Sequence, residues 1–270
     1  MKNMKNYEKI MLFSDMDGTL LDSSGKVSKE NQEAVKTFIE LGGMFGIATG
    51  RSQLNSVLFL DEIRVNAPCI LYNGGGIYDF VKKKFLVLYE LNKTRLILFL
   101  NDCLTKHKEV SIQIYCPDMC YFVSPQSQAD PHTIAIHQPN EFCQIEDIME
   151  QPWIKILLCG QPDLLQSLNN SKNEYGLAQD VSCVFSAENY LEILPYGTSK
   201  GKALSKLRDL IGSDYKIYAI GDYNNDIEMI TEADVGIATQ NAIPALKEIA
   251  DKITVSNDES AIANVIYHME

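Results

Sequence analysis

The sequence has no uninterrupted apolar run of the roughly 18 residues that a membrane-spanning helix needs. It is also poor in positive charge, since 24 Lys and Arg residues stand against 36 Asp and Glu residues and give a formal net charge of −12. Nucleic acids and anionic membranes are bound through basic surface, so we expect neither as a partner. A small anionic substrate is compatible with this charge, because a metal ion or a few basic side chains can outweigh the global field.

The seven cysteines are an odd number without the spacing of a disulfide framework or of a zinc site, and histidine is scarce, with four residues. The first dozen residues lack the apolar core and the cleavage site of a signal peptide. We therefore expect a reduced, cytoplasmic protein without zinc. Monomer and homodimer are both left open.

The first third of the chain alternates short β-rich runs with helical patterns. Strands are expected at 9–14, 44–49 and 67–73, a helix begins after the N-cap Ser28, and helix-compatible residues run from 52 to 62. The last third has the same style. This alternation predicts an α/β fold with a Rossmann-like, doubly wound parallel sheet, in which ligands bind at the carboxyl ends of the strands.

The middle of the chain has a different pattern, with paired short strands separated by helices. An apparent hairpin lies around Pro117, and a further strand is expected at 132–137. We interpret residues 84–188 as an α+β cap domain that is inserted into a core formed by 1–83 and 189–270.

A first chemical motif follows the first strand. Asp15 and Asp17 are two positions apart and face the same side of an extended chain, and Gly18 follows. One carboxylate can act as a nucleophile while the other serves as acid and base. A plain turn is an equally good interpretation of this segment alone.

A second cluster lies after the predicted strand at 215–222. Asp222, Asn225 and Asp226 stand at a helix start, where capping would explain one such residue but not three. Together with a neighbouring strand end that carries carboxylates, they suit Mg²⁺, which prefers oxygen ligands.

Two weaker features lie at helix starts. Thr49 and Gly50 offer a hydroxyl and an accessible N–H to a phosphoryl oxygen, while Arg51 is either a substrate ligand or a surface residue. Lys200 is either a solvated residue or a cation that balances the carboxylates and binds phosphate.

The motifs occur in the order Asp15-x-Asp17-Gly18-Thr19, Thr49-Gly50-Arg51, Ser199-Lys200-Gly201 and Gly221-Asp222-x2-Asn225-Asp226. This series resembles the four motifs of the haloacid dehalogenase-like (HAD) hydrolases, and the insertion resembles the type-2B cap of the Cof-like phosphatases. The resemblance covers the whole chain.

The resemblance implies a role for each matching residue. Asp15 would be the nucleophile that forms an aspartyl-phosphate, and Asp17 would protonate the leaving group and then activate water. Thr49 and Lys200 would stabilise the transferring phosphoryl group. Mg²⁺ would be held by Asp15, the backbone carbonyl of Asp17 and Asp222. Asn225 and Asp226 would either join these metal ligands or hold Lys200. Contacts with the substrate or its phosphate would come from Gly50, Arg51, Asn73 and Asn225.

These roles predict an enzyme, a Mg²⁺-dependent phosphatase of small phosphorylated metabolites such as sugar or cofactor phosphates. Two alternatives remain. A phosphomutase or phosphotransferase would use the same aspartyl-phosphate but exclude water, and a binding protein on this scaffold would have no activity.

Overall fold

The computed structural model describes residues 6–135, 138–212 and 214–269, and these form fourteen strands and nine α-helices. The strands are β1 (Ile10–Ser14), β2 (Met44–Ile47), β3 (Cys69–Leu71), β4 (Gly76–Asp79), β5 (Lys84–Leu88), β6 (Ser111–Tyr115), β7 (Cys120–Phe122), β8 (Asn140–Phe142), β9 (Lys155–Cys159), β10 (Val181–Ala187), β11 (Tyr190–Pro195), β12 (Lys216–Gly221), β13 (Val235–Ala238) and β14 (Lys252–Ile253). The helices are α1 (Lys29–Glu40), α2 (Gln53–Ser56), α3 (Lys93–Lys106), α4 (Pro131–Ala135), α5 (Pro162–Ser171), α6 (Lys200–Ile211), α7 (Ile227–Glu232), α8 (Pro244–Ile249) and α9 (Ala261–His268). Among the described helices, none combines the length and the apolar character needed to cross a membrane.

The chain divides into two units. The first contains the described residues of Met1–Arg51, Ser56–Val87 and Ser199–Glu270, and the second contains those of Ser52–Asn55 and Leu88–Thr198.

The centre of the first unit is a five-stranded sheet in the order β14-β13-β12-β1-β2, and every pair in it is parallel. This confirms the predicted doubly wound α/β core. The strands are largely buried on both faces, as a parallel sheet between helices requires. In the central pair, Ser14 of β1 lies opposite Ile220 of β12, so the two strands end side by side.

Helices cover this sheet because each has an apolar stripe. In α1, Ser28 is the N-cap, as expected, and its side chain accepts a hydrogen bond from the Asn31 N–H. The buried face of α1 includes Val35 and Phe38. On the face of the sheet lined by Met11 and Phe13, the core includes the buried apolar residues of α6.

A small sheet in the order β3-β4-β5 continues the first unit, and its β3–β4 pair is antiparallel. A single bridge between Ala48 and Ile70 connects β3 to the end of β2. The predicted helix at 52–62 is wrong in extent: only Gln53–Ser56 is α-helical, followed by a 3-10 turn at Val57–Phe59. Periodicity over so short a stretch did not reveal the break.

The second unit contains a six-stranded sheet in the order β10-β11-β9-β6-β7-β8. All its strand pairs are antiparallel except that of β7 with β8, which is parallel. The pairing of β6 with β7 confirms the predicted hairpin. Apolar residues of α3 and α5 pack on one face of the sheet, where Ile112 and Ile156 lie. The other face carries a buried ion pair, with Lys155 Nζ 3.1 Å from Glu192 Oε2.

The strand expected at 132–137 is wrong for the residues that are described. Pro131–Ala135 forms α4, and residues 136 and 137 lie outside the described part of the chain. Proline at the first helical position favours a helix start, because its fixed φ suits a helix and its missing N–H would have no intrahelical partner there.

Candidate active site

Asp15 and Asp222 lie next to each other because they follow two adjacent parallel strands. Asp15 is the residue after β1, and its N–H donates to Ile220 O at 2.9 Å. Asp222 is the residue after β12. Neighbouring parallel strands end at the same edge of a sheet, so the carboxylates predicted from two distant segments meet there.

Lys200 is the cation of this site. It is the first residue of α6, whose N-cap Ser199 accepts from the Lys202 N–H. Its Nζ donates to Asp15 Oδ1 and to Asp226 Oδ1, each at 2.7 Å, and the side chain is completely buried. Burial alone lowers the pKa of an ammonium group, but the two carboxylates outweigh it and raise the pKa of Lys200 above its ordinary value. The lysine is therefore charged.

The carboxylates form a compact group. One oxygen each from Asp15, Asp222 and Asp226 lies within 4.8 Å of the others. Burial, with repulsion from Asp226 and Asp222, raises the pKa of Asp15 against the opposing effect of Lys200. Burial, followed by repulsion from Asp226, raises the pKa of Asp222 to about 7. The three carboxyl groups form an all-oxygen donor set, which fits a hard divalent cation such as Mg²⁺.

Asp226 differs from its two neighbours in how its oxygens are used. Oδ1 accepts from Lys200, while Oδ2 accepts from the backbone N–H groups of Asp222 at 3.0 Å and Tyr223 at 3.2 Å. Both oxygens thus already have donors. This geometry holds Lys200 and the turn after β12 in place, which is one of the two roles left open by the sequence.

Asp17 does not join the carboxylate group. Its Oδ2 accepts from Arg51 Nε at 2.8 Å and its Oδ1 from Arg51 Nη2 at 2.5 Å. The side chains of Asp15 and Asp17, which a flat strand would place together, therefore have different partners, because the chain leaves the strand at Asp15. The resemblance implied that Arg51 contacts the substrate, but in this structure its guanidinium binds the carboxylate of Asp17.

Thr49 and Gly50 follow the end of β2, as predicted. Thr49 is buried, its N–H donates to Ile70 O at 2.9 Å, and its Oγ1 accepts from the Arg51 N–H at 3.2 Å. The motif therefore lies at the edge of the sheet where Asp15 lies, and the Thr49 hydroxyl fixes the bend that follows.

Asn73 and Asn225 contact each other directly, with Asn225 Nδ2 donating to Asn73 Oδ1 at 3.0 Å. Asn73 has φ 50° and ψ 36°, in the left-handed region, and the preceding Tyr72 has φ 53°. Two successive non-glycine residues with positive φ store strain, which is common at functional sites. The Asn73 N–H donates to Thr49 O at 3.0 Å and so connects this turn to the second motif.

Thr19 and Asn241 also support the site. Thr19 Oγ1 donates to Asp222 Oδ1 at 2.8 Å, and Asn241 Nδ2 donates to Gly18 O at 2.8 Å. Gly18 has φ +77°, and a Cβ there would lie 2.5 Å from Asp222 Oδ2. The Gly-Thr pair in the first motif was the available signal, since Thr19 binds the carboxylate of Asp222 and Gly18 leaves room for it.

Comparison with known proteins identifies the family of the chain. A family model described as haloacid dehalogenase-like hydrolase matches residues 12–266. The chain is 31% identical to the 5-amino-6-(5-phospho-D-ribitylamino)uracil phosphatase YwtE of Bacillus subtilis, over 93% of this chain and 95% of that protein. It is 29% identical to a second B. subtilis phosphatase with the same substrate name, YcsE, over 94% and 93% of the two chains.

A solved structure agrees with this result. The crystal structure of a haloacid dehalogenase-like hydrolase from Bacteroides thetaiotaomicron superposes with a TM-score of 0.84 at 25% identity, covering 96% of this chain and 99% of that one.

Proposed function

The chain belongs to the haloacid dehalogenase-like hydrolases, and we propose that it is a Mg²⁺-dependent phosphatase of small phosphorylated metabolites. One observation carries the proposal: Asp15, at the end of β1, is held by a buried Lys200 within a group of three carboxylates. A charged nucleophile beside a cation is what phosphoryl transfer needs, because that reaction depends on positioning and on charge stabilisation.

Asp15 is the proposed nucleophile. Its second oxygen attacks phosphorus while Oδ1 stays on Lys200, so the Asp15 Oδ–P bond forms as the bond from phosphorus to the leaving oxygen breaks. Asp17 gives its proton to that oxygen. In the second half-reaction a water attacks the aspartyl-phosphate, Asp17 takes the water's proton, and Asp15 is released with inorganic phosphate.

Asp15 and Asp222 would hold Mg²⁺ together with the backbone carbonyl of Asp17, and Asp226 would complete the group while holding Lys200. When bound, the cation supplies charge that stabilises the phosphoryl oxygens. Lys200 would neutralise part of the same charge. Thr49 and Gly50 would bind phosphoryl oxygens through hydroxyl and backbone N–H groups, and the Asn73–Asn225 pair would orient the phosphate.

The substrate would be a small molecule. The two B. subtilis relatives carry the name of a phosphate monoester on a ribityl chain, so a phosphorylated polyol or cofactor precursor is the substrate class we favour. Residues 84–188, the proposed cap, would select the organic part of that substrate.

The test is Mg²⁺-dependent release of inorganic phosphate from a panel of phosphorylated metabolites that includes 5-amino-6-(5-phospho-D-ribitylamino)uracil. We expect Asp15→Asn, which keeps the shape of the side chain, to abolish release. Asp209→Asn, at an exposed position of α6, should retain it. Phosphate release by Asp15→Asn at the wild-type rate would refute the mechanism. An isomerised substrate without phosphate release would indicate a phosphomutase.

A further inference from the structure

Arg51 and Asp17 form a two-point ion pair between the second and the first motif. The guanidinium donates through Nε and through Nη2 to the two different oxygens of the carboxylate, at 2.8 Å and 2.5 Å. Such fork-to-fork pairing fixes the plane of a carboxylate as well as its distance. A lysine could fix only a distance, because its ammonium is a point charge.

The two partners differ in how firmly the protein holds them. The Arg51 side chain is 15% exposed, whereas that of Asp17 is 59% exposed. The Arg51 guanidinium carbon lies 4.8 Å from the centre of the Phe59 ring, an arrangement of the cation–π kind. The backbone of Arg51 is fixed as well, since its carbonyl accepts from the Tyr72 N–H at 3.1 Å. The arginine is thus the fixed partner and the aspartate the one that is oriented.

We propose that Arg51 is a positioning residue for Asp17, which orients the carboxyl group for proton transfer to the leaving oxygen and holds the carboxylate that this transfer produces. The inference rests on the proposed function, because it assumes that Asp17 is the acid and base of a phosphatase. It differs from the role expected from the sequence, in which Arg51 contacts the substrate.

The proton balance shows where the arginine acts. When the bond from phosphorus to the leaving oxygen breaks, Asp17 loses its proton to that oxygen and becomes a carboxylate. That carboxylate is the form that Arg51 binds at both oxygens in the structure. This carboxylate persists until the attacking water gives a proton to Asp17, when one Asp17 oxygen leaves the guanidinium. Arg51 therefore acts in the first half-reaction through geometry: its fork fixes the plane of the Asp17 carboxyl group and pairs with the carboxylate that proton transfer leaves behind.

This role predicts a dependence on the leaving group. A departing oxygen that is a weak base needs little protonation, whereas a strongly basic one needs the acid fully. Loss of Arg51 should therefore affect esters of weakly acidic alcohols and phenols much more than esters of acidic phenols. A residue that only binds the phosphate would affect both alike, because the phosphate is the same.

The experiment compares phenyl phosphate with 4-nitrophenyl phosphate, two aryl esters of similar shape whose leaving groups differ in basicity. The measured quantity is kcat/KM at saturating Mg²⁺, because it reports the steps through formation of the aspartyl-phosphate. In Arg51→Ala we expect kcat/KM to fall at least about 10-fold more for phenyl phosphate than for 4-nitrophenyl phosphate. Arg51→Lys should show a selective loss of kcat/KM between those of the wild type and Arg51→Ala. Millimolar guanidinium ion should restore part of the phenyl phosphate activity of Arg51→Ala.

Two further variants separate positioning from other roles. In an Asp17→Asn background, Arg51→Ala should change the ratio of the two rates no further, because the group on which it acts is gone. Arg208→Ala is the matched control, since Arg208 forms a similar ion pair with Asp234, at 3.1 Å, away from the proposed site. It should leave the ratio of the two rates unchanged.

The outcomes divide cleanly. Equal losses for the two esters in Arg51→Ala, whether or not the melting temperature falls, would overturn the inference. A selective loss that persists unchanged in the Asp17→Asn background would do so too. If the wild-type protein hydrolyses neither ester nor any metabolite, the proposed function itself fails. If it hydrolyses them but Arg51→Ala shows no selectivity, only the inference on Arg51 fails.

Discussion

Lys200 donates to two carboxylates that lie 185 and 26 residues away from it in the sequence. The sequence predicted a lysine at a helix start, and the resemblance implied its role and left open whether Asp226 holds it. The geometry of both contacts came only from the structure. A fully buried ammonium is tolerated because two charge-assisted hydrogen bonds replace its hydration. At this scale, stability and chemistry depend on the same contacts.

Replacement of Lys200 by methionine tests this arrangement. The change leaves Asp15 and Asp226 buried without their cation, so we expect the free energy of unfolding to fall by about 3–5 kcal/mol in the absence of metal. Loss of charge stabilisation should lower kcat by at least about 10²–10³-fold. Denaturant unfolding and steady-state kinetics measure the two effects.

Lys202→Met is the control for that variant. Lys202 is exposed and lies two residues further along α6, so its replacement removes the same charge from the same helix. We expect Lys202→Met to lower the free energy of unfolding by less than about 0.5 kcal/mol and to leave kcat unchanged. A Lys200→Met protein that is as stable and as active as Lys202→Met would contradict the interpretation of the buried pair.

At the scale of elements, the turn after β3 fixes the start of α6. Gly74 has φ +97°, and a Cβ at this position would lie 2.1 Å from Ser199 O. Ser199 is the N-cap of α6 and directly precedes Lys200. Close backbone approach between two elements is a reason for glycine that no local pattern reveals, since a Gly-rich turn after a strand has the same appearance with or without a neighbour.

Gly74→Ala should therefore affect both stability and activity. The new Cβ meets backbone rather than a flexible side-chain end, so the start of α6 must shift and Lys200 with it. We expect a loss of more than about 2 kcal/mol in the free energy of unfolding, from backbone strain and the clash together, and a loss in kcat. Gly25→Ala is the matched control, because Gly25 has a similar φ of +75° and nothing lies within 4 Å of its Cβ position.

The control isolates strain from the clash. Gly25→Ala should cost only the conformational term, about 1–2 kcal/mol, with activity retained. If the two alanine variants lose equal stability and Gly74→Ala stays fully active, then the contact between the turn and α6 does not position Lys200.

For the whole molecule, charge and metal are connected to stability. The chain carries a formal net charge of −12, and three of its carboxylates are concentrated beside one lysine. Because the pKa of Asp222 is raised from 3.8 to about 7, the folded, metal-free protein binds more protons than the unfolded chain between these values. Its free energy of unfolding therefore falls as pH rises through this window. The raised pKa of Asp15 acts in the same direction.

A divalent cation should remove this dependence. Mg²⁺ binds the ionised carboxylates, so it should raise the melting temperature more at about pH 8 than at about pH 6. In Asp222→Asn, the rise in melting temperature caused by Mg²⁺ should differ less between pH 8 and pH 6. Thermal melts with EDTA, with Mg²⁺, and with sodium chloride at matched ionic strength would measure it. An equal effect of Mg²⁺ at both pH values in the wild type would contradict a coupled carboxylate site.

The parallel core and the positions of its strand-end motifs could be predicted from the sequence. Apolar runs of strand length that alternate with helical patterns leave little choice of fold class, and a parallel sheet brings its carboxyl ends to one edge, so Asp15, Thr49 and Asp222 were assigned to that edge from local signals alone. The secondary structure of short segments was less well determined by the sequence. The stretches at 52–62 and 132–135 have patterns compatible with more than one element, so the sequence did not determine which element each would form.

The partners of individual side chains were decided only by the tertiary structure. Alternation along the strand predicts that Asp15 and Asp17 face the same side, yet Asp15 accepts from a buried lysine and Asp17 from an arginine in another motif. Alternation along a strand fixes which face a residue belongs to only while the chain stays extended, and it ends at Asp15. Beyond that point the distances between segments far apart in sequence set each contact, and those distances exist only in the folded chain.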